Sequence, residues 1–264
     1  MKVRIFFAGD VMGKPGRRAL QLGLAELRQQ VDLDAVVVNG ENAAGGAGIT
    51  REILHEFLSW GVDAVTAGNH VWDQRETVSY IESEARLLRP ENAPPGTPGR
   101  GALRIEKEGW SLGVLNLMGR LFMHPIYDCP FRAADAALQG ALADCSVILV
   151  DLHAEATSEK YALAWHLDGR VSLAVGSHTH VPTADERIFP GGMAYQSDAG
   201  MCGCYESIIG VDREIAKRRF IDAMPAKAPV AEGVASLCGL LVEVDTSSGK
   251  ALRVERIRRD YPAV

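Results

Sequence analysis

The sequence predicts an α/β fold built around two sheets. Three observations carry that expectation. Short apolar runs alternate with helical patterns over the first ~120 residues, a Pro- and Gly-rich middle leads into a strand pair, and the alternation then resumes before a strand-rich end. Val3 to Ala8 is the first strand candidate. Pro15 suits a helix first turn, and Leu20, Leu24, Leu27 and Val31 then recur at helical spacing. Ala35 to Val38 is a second buried run. Thr50 can cap a helix carrying Ile53, Leu54, Phe57 and Leu58 on one side, and Val62 to Ala67 is a third short strand.

Pro90 to Arg100 reads as a loop. Leu103–Lys107 and Ser111–Leu117 read as a strand pair around Glu108-Gly109. Phe131 to Leu142 is expected as a helix with Phe131, Ala134, Leu138 and Ala141 on one face. Val147–Val150, a helix near Ser158–Leu167 and Val171–Val175 restore the alternation. Met193–Gln196, Leu237–Val244 and Leu252–Arg256 are the last strands expected. Residues 199–233 hold Gly, Pro and a basic helix from Asp212 to Phe220, and read as a lid or a subunit contact.

Length and composition set the outer limits. At roughly 150 residues per domain, 264 residues make one large domain or two small ones. With no repeat, low-complexity tract or linker, one domain spanning 1–264 is the expectation. Apolar residues make up 47% and charged residues 23%, which excludes a disordered or fibrous chain. No apolar run approaches the ~18 residues of a membrane-spanning helix, so no membrane association is expected. Met1 to Asp10 reads as a first strand rather than a signal peptide, and a cytoplasmic location is expected. The charge of −6, from 28 basic and 34 acidic residues, disfavours long nucleic acid as a partner. A small phosphorylated substrate remains compatible, because bound metals invert the local field. The five cysteines suggest no disulfide framework, and Cys202 and Cys204 read as loop or core thiols.

The informative residues sit where apolar strands end. Asp10 follows Ile5–Gly9; Asn39-Gly40-Glu41-Asn42 follows Ala35–Val38; Gly68-Asn69-His70 follows Val62–Ala67; Asp151-Leu152-His153 follows Val147–Val150; Ser177-His178-Thr179-His180 follows Val171–Gly176. In open α/β sheets ligands bind beyond the carboxyl ends of strands. Five strand ends thus deliver Asp, Glu, Asn and His to one rim. Those donors suit two divalent metals, which clamp the attacking and leaving oxygens of an in-line displacement and activate a water between them. On an extended segment His178 and His180 would share a face and reach adjacent metals. Each residue alone has a plainer reading: Asp10 as a helix cap, His153 as a hydrogen-bonded core histidine, Gly68-Asn69-His70 as a turn.

These motifs resemble the calcineurin-like metallophosphoesterases, and in detail one branch, the YmdB-like phosphodiesterases. The branch pattern G-D-x-x-G-K-P-G-R is matched by Gly9 to Arg17, N-G-E-N-A-A-G-G by Asn39 to Gly46, H-A-E-A-T-S-E-K by His153 to Lys160, and the late G-x-D-R-E by Gly210 to Glu214. The resemblance spans nearly the whole chain. It implies a four-layer α/β/β/α sandwich of two mixed sheets. It implies that Asp10, Glu41, Asn42 and His180 serve one metal, and that Glu41, Asn69, His153 and His178 serve the other, with Glu41 bridging. His70 would be no ligand but the general acid that protonates the leaving oxygen. The implied cofactors are two divalent ions, iron or manganese first, magnesium or zinc as alternatives. The implied substrate is a small phosphodiester such as 2′,3′-cyclic AMP, attacked by a metal-held hydroxide. The usual Asp-x-His start of the superfamily is here Asp10-Val11-Met12, and its usual bridging Asp is Glu41.

Two rival functions stay open: a phosphomonoesterase or nucleotidase on the same site, and a metal-dependent regulatory or RNA-associated binding protein without enzymatic action. A homo-oligomer is the general expectation for such enzymes. Gly9–Lys14 lacks phosphate-loop spacing, and H-E-x-x-H is absent, so NTPase and zincin readings fail. His55 and His166 read as solvated helix residues, His124 as a weak candidate for substrate contact, and Lys217-Arg218-Arg219 as a solvated helix face.

Overall fold

In the computed structural model, which describes residues 1–263, the strands and helices stack in four layers. The first half comprises β1 (Lys2–Ala8), β2 (Asp10–Val11), α1 (Gly13–Gln30), β3 (Ala35–Asn39), α2 (Arg51–Ser59), β4 (Ala64–Thr66), α3 (Thr77–Tyr80), β5 (Leu87–Leu88), β6 (Ala102–Lys107) and β7 (Trp110–Met118). The second comprises α4 (Pro130–Gln139), β8 (Val147–His153), α5 (Thr157–Leu167), β9 (Leu173–Ser177), β10 (Arg187–Ile188), β11 (Ala194–Gln196), β12 (Met201–Cys204), α6 (Arg213–Asp222), β13 (Ala235–Asp245) and β14 (Lys250–Tyr261).

One sheet runs β2-β12-β13-β1-β3-β4-β5, with β14 hydrogen-bonded to β13; the other runs β10-β11-β9-β8-β7-β6. Both are mixed. β1, β3, β4 and β5 are parallel, and β13 joins β1 antiparallel. β7, β8, β9 and β11 are parallel, with β6 and β10 antiparallel at the edges.

Strand alternation explains the layering. Phe6, Ala8, Val36 and Val38 face α1 and α2, meeting Leu20, Leu24, Leu27, Leu54 and Phe57. Ile5, Phe7, Ala35 and Val37 face the other sheet, meeting Leu112, Val114, Val147, Leu149, Leu173 and Val175. Leu115, Leu117, Ile148 and Val150 face Ala134, Leu163, Ala164 and Leu167 of α4 and α5. A period of two thus sorts each strand between two apolar interfaces. The expected helices start as their caps dictate: the Thr50 hydroxyl accepts from Ile53 N–H, Asp212 caps α6, and Pro130 opens α4.

The secondary structure departs from the sequence readings in several places. The helix expected to run to Leu142 stops at Gln139, because Gly140 caps it, and Ala141 is exposed rather than on the buried face. Residues 199–233 are in part sheet interior: Cys202 and Cys204 are buried in β12, which pairs with β2 and β13. β2, β5, β10 and β12 are strands of two to four residues that only pairing defines. Asp10 caps nothing; Met12 is the N-cap of α1, with no side-chain hydrogen bond. Among the described residues no helix is long and apolar enough to cross a membrane.

Phe7 sits fully buried between the sheets. Phe7→Ala is expected to lower unfolding free energy by about 3–5 kcal/mol, read as a shift of the urea midpoint at unchanged m-value.

Candidate metal centre

The two inner faces bring the carboxyl ends of β1, β3, β4, β8 and β9 to one rim, and the strand-end residues meet there. Among the described residues, Glu41, His153 and His178 offer ligand atoms all within 4.8 Å of one another. His153 Nε2 lies 3.0 Å from Glu41 Oε1, 3.0 Å from Asn69 Oδ1 and 3.1 Å from His178 Nδ1. Beside this group, His180 Nε2 lies 3.2 Å from Asn42 Oδ1 and 3.8 Å from Asp10 Oδ1. All seven residues expected as ligands therefore line one centre, in two clusters.

Each donor's orientation has a local cause. His153 Nδ1 lies 2.9 Å from Ser177 Oγ, whose hydroxyl donates to Asp151 Oδ1. That chain makes Nδ1 the protonated nitrogen and turns the Nε2 lone pair inward. His180 Nδ1 donates to Ile209 O at 2.9 Å, again freeing Nε2. The Asn42 amide donates to Gly46 O at 3.1 Å, so its oxygen faces the centre. Asn39 Oδ1 accepts from Glu41 N–H and sets the turn after β3.

The donor chemistry fits cations. Imidazole nitrogens, carboxylates and amide oxygens converge here, and the only backbone donors that reach the carboxylates are His70 N–H on Glu41 Oε2 and His178 N–H on Asp10 Oδ2 among the described residues, so the remaining lone pairs suit a positive ion. Asp10 Oδ1 is buried without a hydrogen-bond partner. A Cβ on Gly68 would collide with His153 Nε2 and Glu41 Oε2, so only glycine leaves the cradle open.

Electrostatics point the same way. Burial drives the His153 imidazole toward neutrality, yet the charge and hydrogen bond of Glu41, with Asp10 and Asp151, outweigh it and hold its pKa up at about 9. Glu41 is driven up by burial, but His153, His70 and His178 bring it down to about 2. Burial and the charge of His153 lower His178 to about 3, which leaves it neutral. Burial pushes Asp10 up to about 6, Asp198 and Glu41 adding to it against His180 and His153.

The His178-Thr179-His180 stretch corrects the expectation of an extended segment. β9 ends at Ser177, and His178 and His180 have φ of 94° and 65°. They reach the two clusters from a turn, not by strand alternation. Such non-glycine conformations cost roughly 1–3 kcal/mol each and persist only where their surroundings hold them.

His70 sits at the edge of the centre. Its N–H donates to Glu41 Oε2 at 3.2 Å, and its Nδ1 pairs with Asp73 Oδ2 at 2.8 Å, leaving Nε2 free. It lines a pocket of about 330 Å³ with His178, Thr179, Glu155 and Ile209. Sequence reasoning missed Asp73, although it lies three residues on in the same turn. It also missed Glu155, whose carboxylate is 3.3 Å from His178 Nε2. Of the other histidines, His55 is exposed and pairs with Glu84, while His166 is half-buried against Asp135.

The family profile described as YmdB-like protein matches residues 6–257. A 2′,3′-cyclic-nucleotide 2′-phosphodiesterase of Bacillus subtilis (strain 168) is 45% identical over 255 residues, 97% of this chain and 96% of the relative. The chain belongs to the YmdB-like family.

Two solved structures share its fold. A novel phosphatase from Mycoplasma pneumoniae superposes with a TM-score of 0.94 at 34% identity, over 100% of this chain and 95% of that one. A hypothetical protein from Thermus thermophilus gives 0.92 at 44% identity, over 98% and 100%. The architecture is the metallophosphoesterase fold, and this family implies divalent metal ions. Where the wider superfamily starts Asp-x-His, this YmdB-like chain has Met12, only 4% exposed, packed against Gly46, Gly203 and Gly210. An apolar side chain fills that position.

Gly68→Ala is expected to reduce bound Mn²⁺ to one ion or fewer per chain by elemental analysis, with the far-UV spectrum kept. A pH dependence follows from His153. Its pKa is raised from 6.5 to about 9, so the proton's contribution to stability is complete below pH 6.5 and lost as pH rises through about 9. A cation must displace that proton. Mn²⁺ affinity of chelator-treated protein should therefore climb with pH through this window, with release of about one proton. Titration heats that do not vary with the buffer's ionisation enthalpy would refute it.

Proposed function

We propose that this chain is a metal-dependent phosphodiesterase of small phosphodiesters, with 2′,3′-cyclic nucleotides as the substrate class. Family membership makes it a hydrolase acting on phosphoric ester bonds. Asp10, Asn42 and His180 would hold one divalent cation and Asn69, His153 and His178 the other, with Glu41 shared. Two such ions, when bound, supply the Lewis acidity that activates water and offsets charge on the phosphate, and iron or manganese suits this nitrogen-and-oxygen donor set.

The chain's own residues handle the proton. His70, held at Nδ1 by Asp73, presents Nε2 to the pocket and would protonate the departing sugar oxygen. Asp73 keeps the ring oriented. An alkoxide leaving group gains most from this, and a cyclic nucleotide has one.

The observation that carries diester over monoester is charge. Among the described residues the pocket lining contains no lysine or arginine, and Glu155 adds a carboxylate beside His178. A phosphomonoester brings roughly −1.5 to −2 near neutral pH, a diester a single charge. Bound cations would attract both esters, and with no lysine or arginine beyond them to hold a second negative charge, the carboxylate offsets that attraction more for the monoester.

The test is hydrolysis of bis-p-nitrophenyl phosphate and 2′,3′-cyclic AMP beside p-nitrophenyl phosphate and a nucleoside 2′-phosphate, after chelation and again with Mn²⁺. Diester turnover that Mn²⁺ restores, at least tenfold above monoester turnover, is expected. Equal or faster monoester turnover would move the site to the monoesterase reading. Two bound ions without turnover would favour the binding-protein reading. His70→Ala should keep both metals and lose about 10²–10⁴ in kcat on the cyclic nucleotide, with a smaller loss on the activated p-nitrophenyl ester. Undiminished turnover on the cyclic nucleotide would remove His70 from this role.

A further inference from the structure

Lys160 is among the largest fully buried side chains, and nothing in the chemistry above uses it. It stands on α5, and its Nζ donates to Ser177 O at 2.8 Å and to Asp198 Oδ2 at 2.9 Å. Asp198, two residues past β11, is equally buried. Its Oδ2 also accepts from Thr179 N–H at 3.0 Å and Thr179 Oγ at 2.8 Å, and its Oδ1 accepts from Gly200 N–H at 2.8 Å. The pair thus grips the chain at Ser177, just before His178, and at Thr179, between His178 and His180. Those two histidines are the ones in this turn with positive φ. A Cβ on Gly176 would collide with Ser197 O, so the segments carrying the pair and the turn are in direct backbone contact.

Burial opposes the Asp198 charge, but Lys160 and the hydrogen bonds from Lys160, Gly200 and Thr179 hold its carboxyl below the usual range. A buried ion pair can often be replaced by apolar residues without loss of stability. Stability is therefore a poor reason for this one, whereas an unfavourable turn that must aim two ligands is a specific one.

We propose that Lys160 and Asp198 are a positioning pair that holds the His178-Thr179-His180 turn, aiming His178 Nδ1 at one cluster and His180 Nε2 at the other. The proposal rests on the reading that these histidines bind divalent cations, and the wild-type measurement tests that reading first. Chelator-treated protein is titrated with Mn²⁺ by calorimetry, and the visible spectrum of the Co²⁺-loaded protein is recorded. Lys160→Met and Asp198→Asn are expected to bind at least tenfold more weakly and to change the Co²⁺ spectrum, with far-UV circular dichroism unchanged. Thr179→Val, which removes one bond and leaves the pair, should weaken binding about threefold. Leu163→Ala, in the core on the same helix, should lower Tm while keeping affinity and spectrum.

A wild-type protein that binds no divalent ion defeats the underlying metal reading. Wild-type binding matched by Lys160→Met and Asp198→Asn overturns the positioning role alone. So does an equal loss of affinity in Leu163→Ala, which would mark a general effect of destabilisation. Should neither pair variant fold, Thr179→Val decides, and unchanged affinity there overturns the proposal.

Discussion

The structure turns on one buried contact, the His153 imidazole against the Glu41 carboxylate, 3.0 Å apart and both shielded from solvent. His153 ends β8 of one sheet, and Glu41 follows β3 of the other. They meet only if the two sheets pack face to face with those carboxyl ends at the same rim. The apolar interface of Ile5, Phe7, Val37, Val114 and Leu149 enforces that packing. The hydrophobic core between the sheets is therefore also the ruler that sets the distance between the candidate ligands.

Around this contact the protein concentrates charge where charge is costly. Asp10, Glu41, Asp151, His153 and Asp198 are all buried, along with Lys160. Each carboxylate has a cation or a set of hydrogen-bond donors within reach, except that Asp10 Oδ1 has no hydrogen-bond partner. In a medium of low dielectric such a group is tolerated when it is paired or holds a metal. Asp151 shows the supporting case: it takes hydrogen bonds from Asn39, Thr66 and Ser177 and touches no candidate ligand position itself, yet through Ser177 it determines which nitrogen of His153 faces inward.

The strand ends were legible because burial and polarity change abruptly there. Val36, Val37 and Val38 are apolar on both sides of the sheet, and Asn39 to Asn42 are not. A strand covered on both faces has no local reason to end in Glu-Asn, so those residues declared a site. Asp73, Lys160 and Asp198 carried no such signal. Asp73 lies in a turn rich in polar residues, and Lys160 and Asp198 are 38 positions apart. Helical spacing places Lys160 on α5, but only the packing of that helix brings its ammonium under the turn.

By itself the sequence determined the alternation of strands and helices, the caps at Thr50 and Asp212, the family, and the identities of the residues that line the centre. Those are consequences of local pattern: apolar periodicity, side-chain capping and contiguous motifs. Tertiary structure alone decided how the residues face one another. Short strands such as β12 exist because β2 and β13 offer hydrogen-bond partners, and α4 ends at Gly140 while Leu142 folds back to the core. His178 and His180 take positive φ in a turn whose Thr179 is bound by Asp198 and whose His178 N–H is bound by Asp10, both distant in sequence. The identity of the candidate ligands is a property of strand ends, but their direction is a property of the packing that surrounds them.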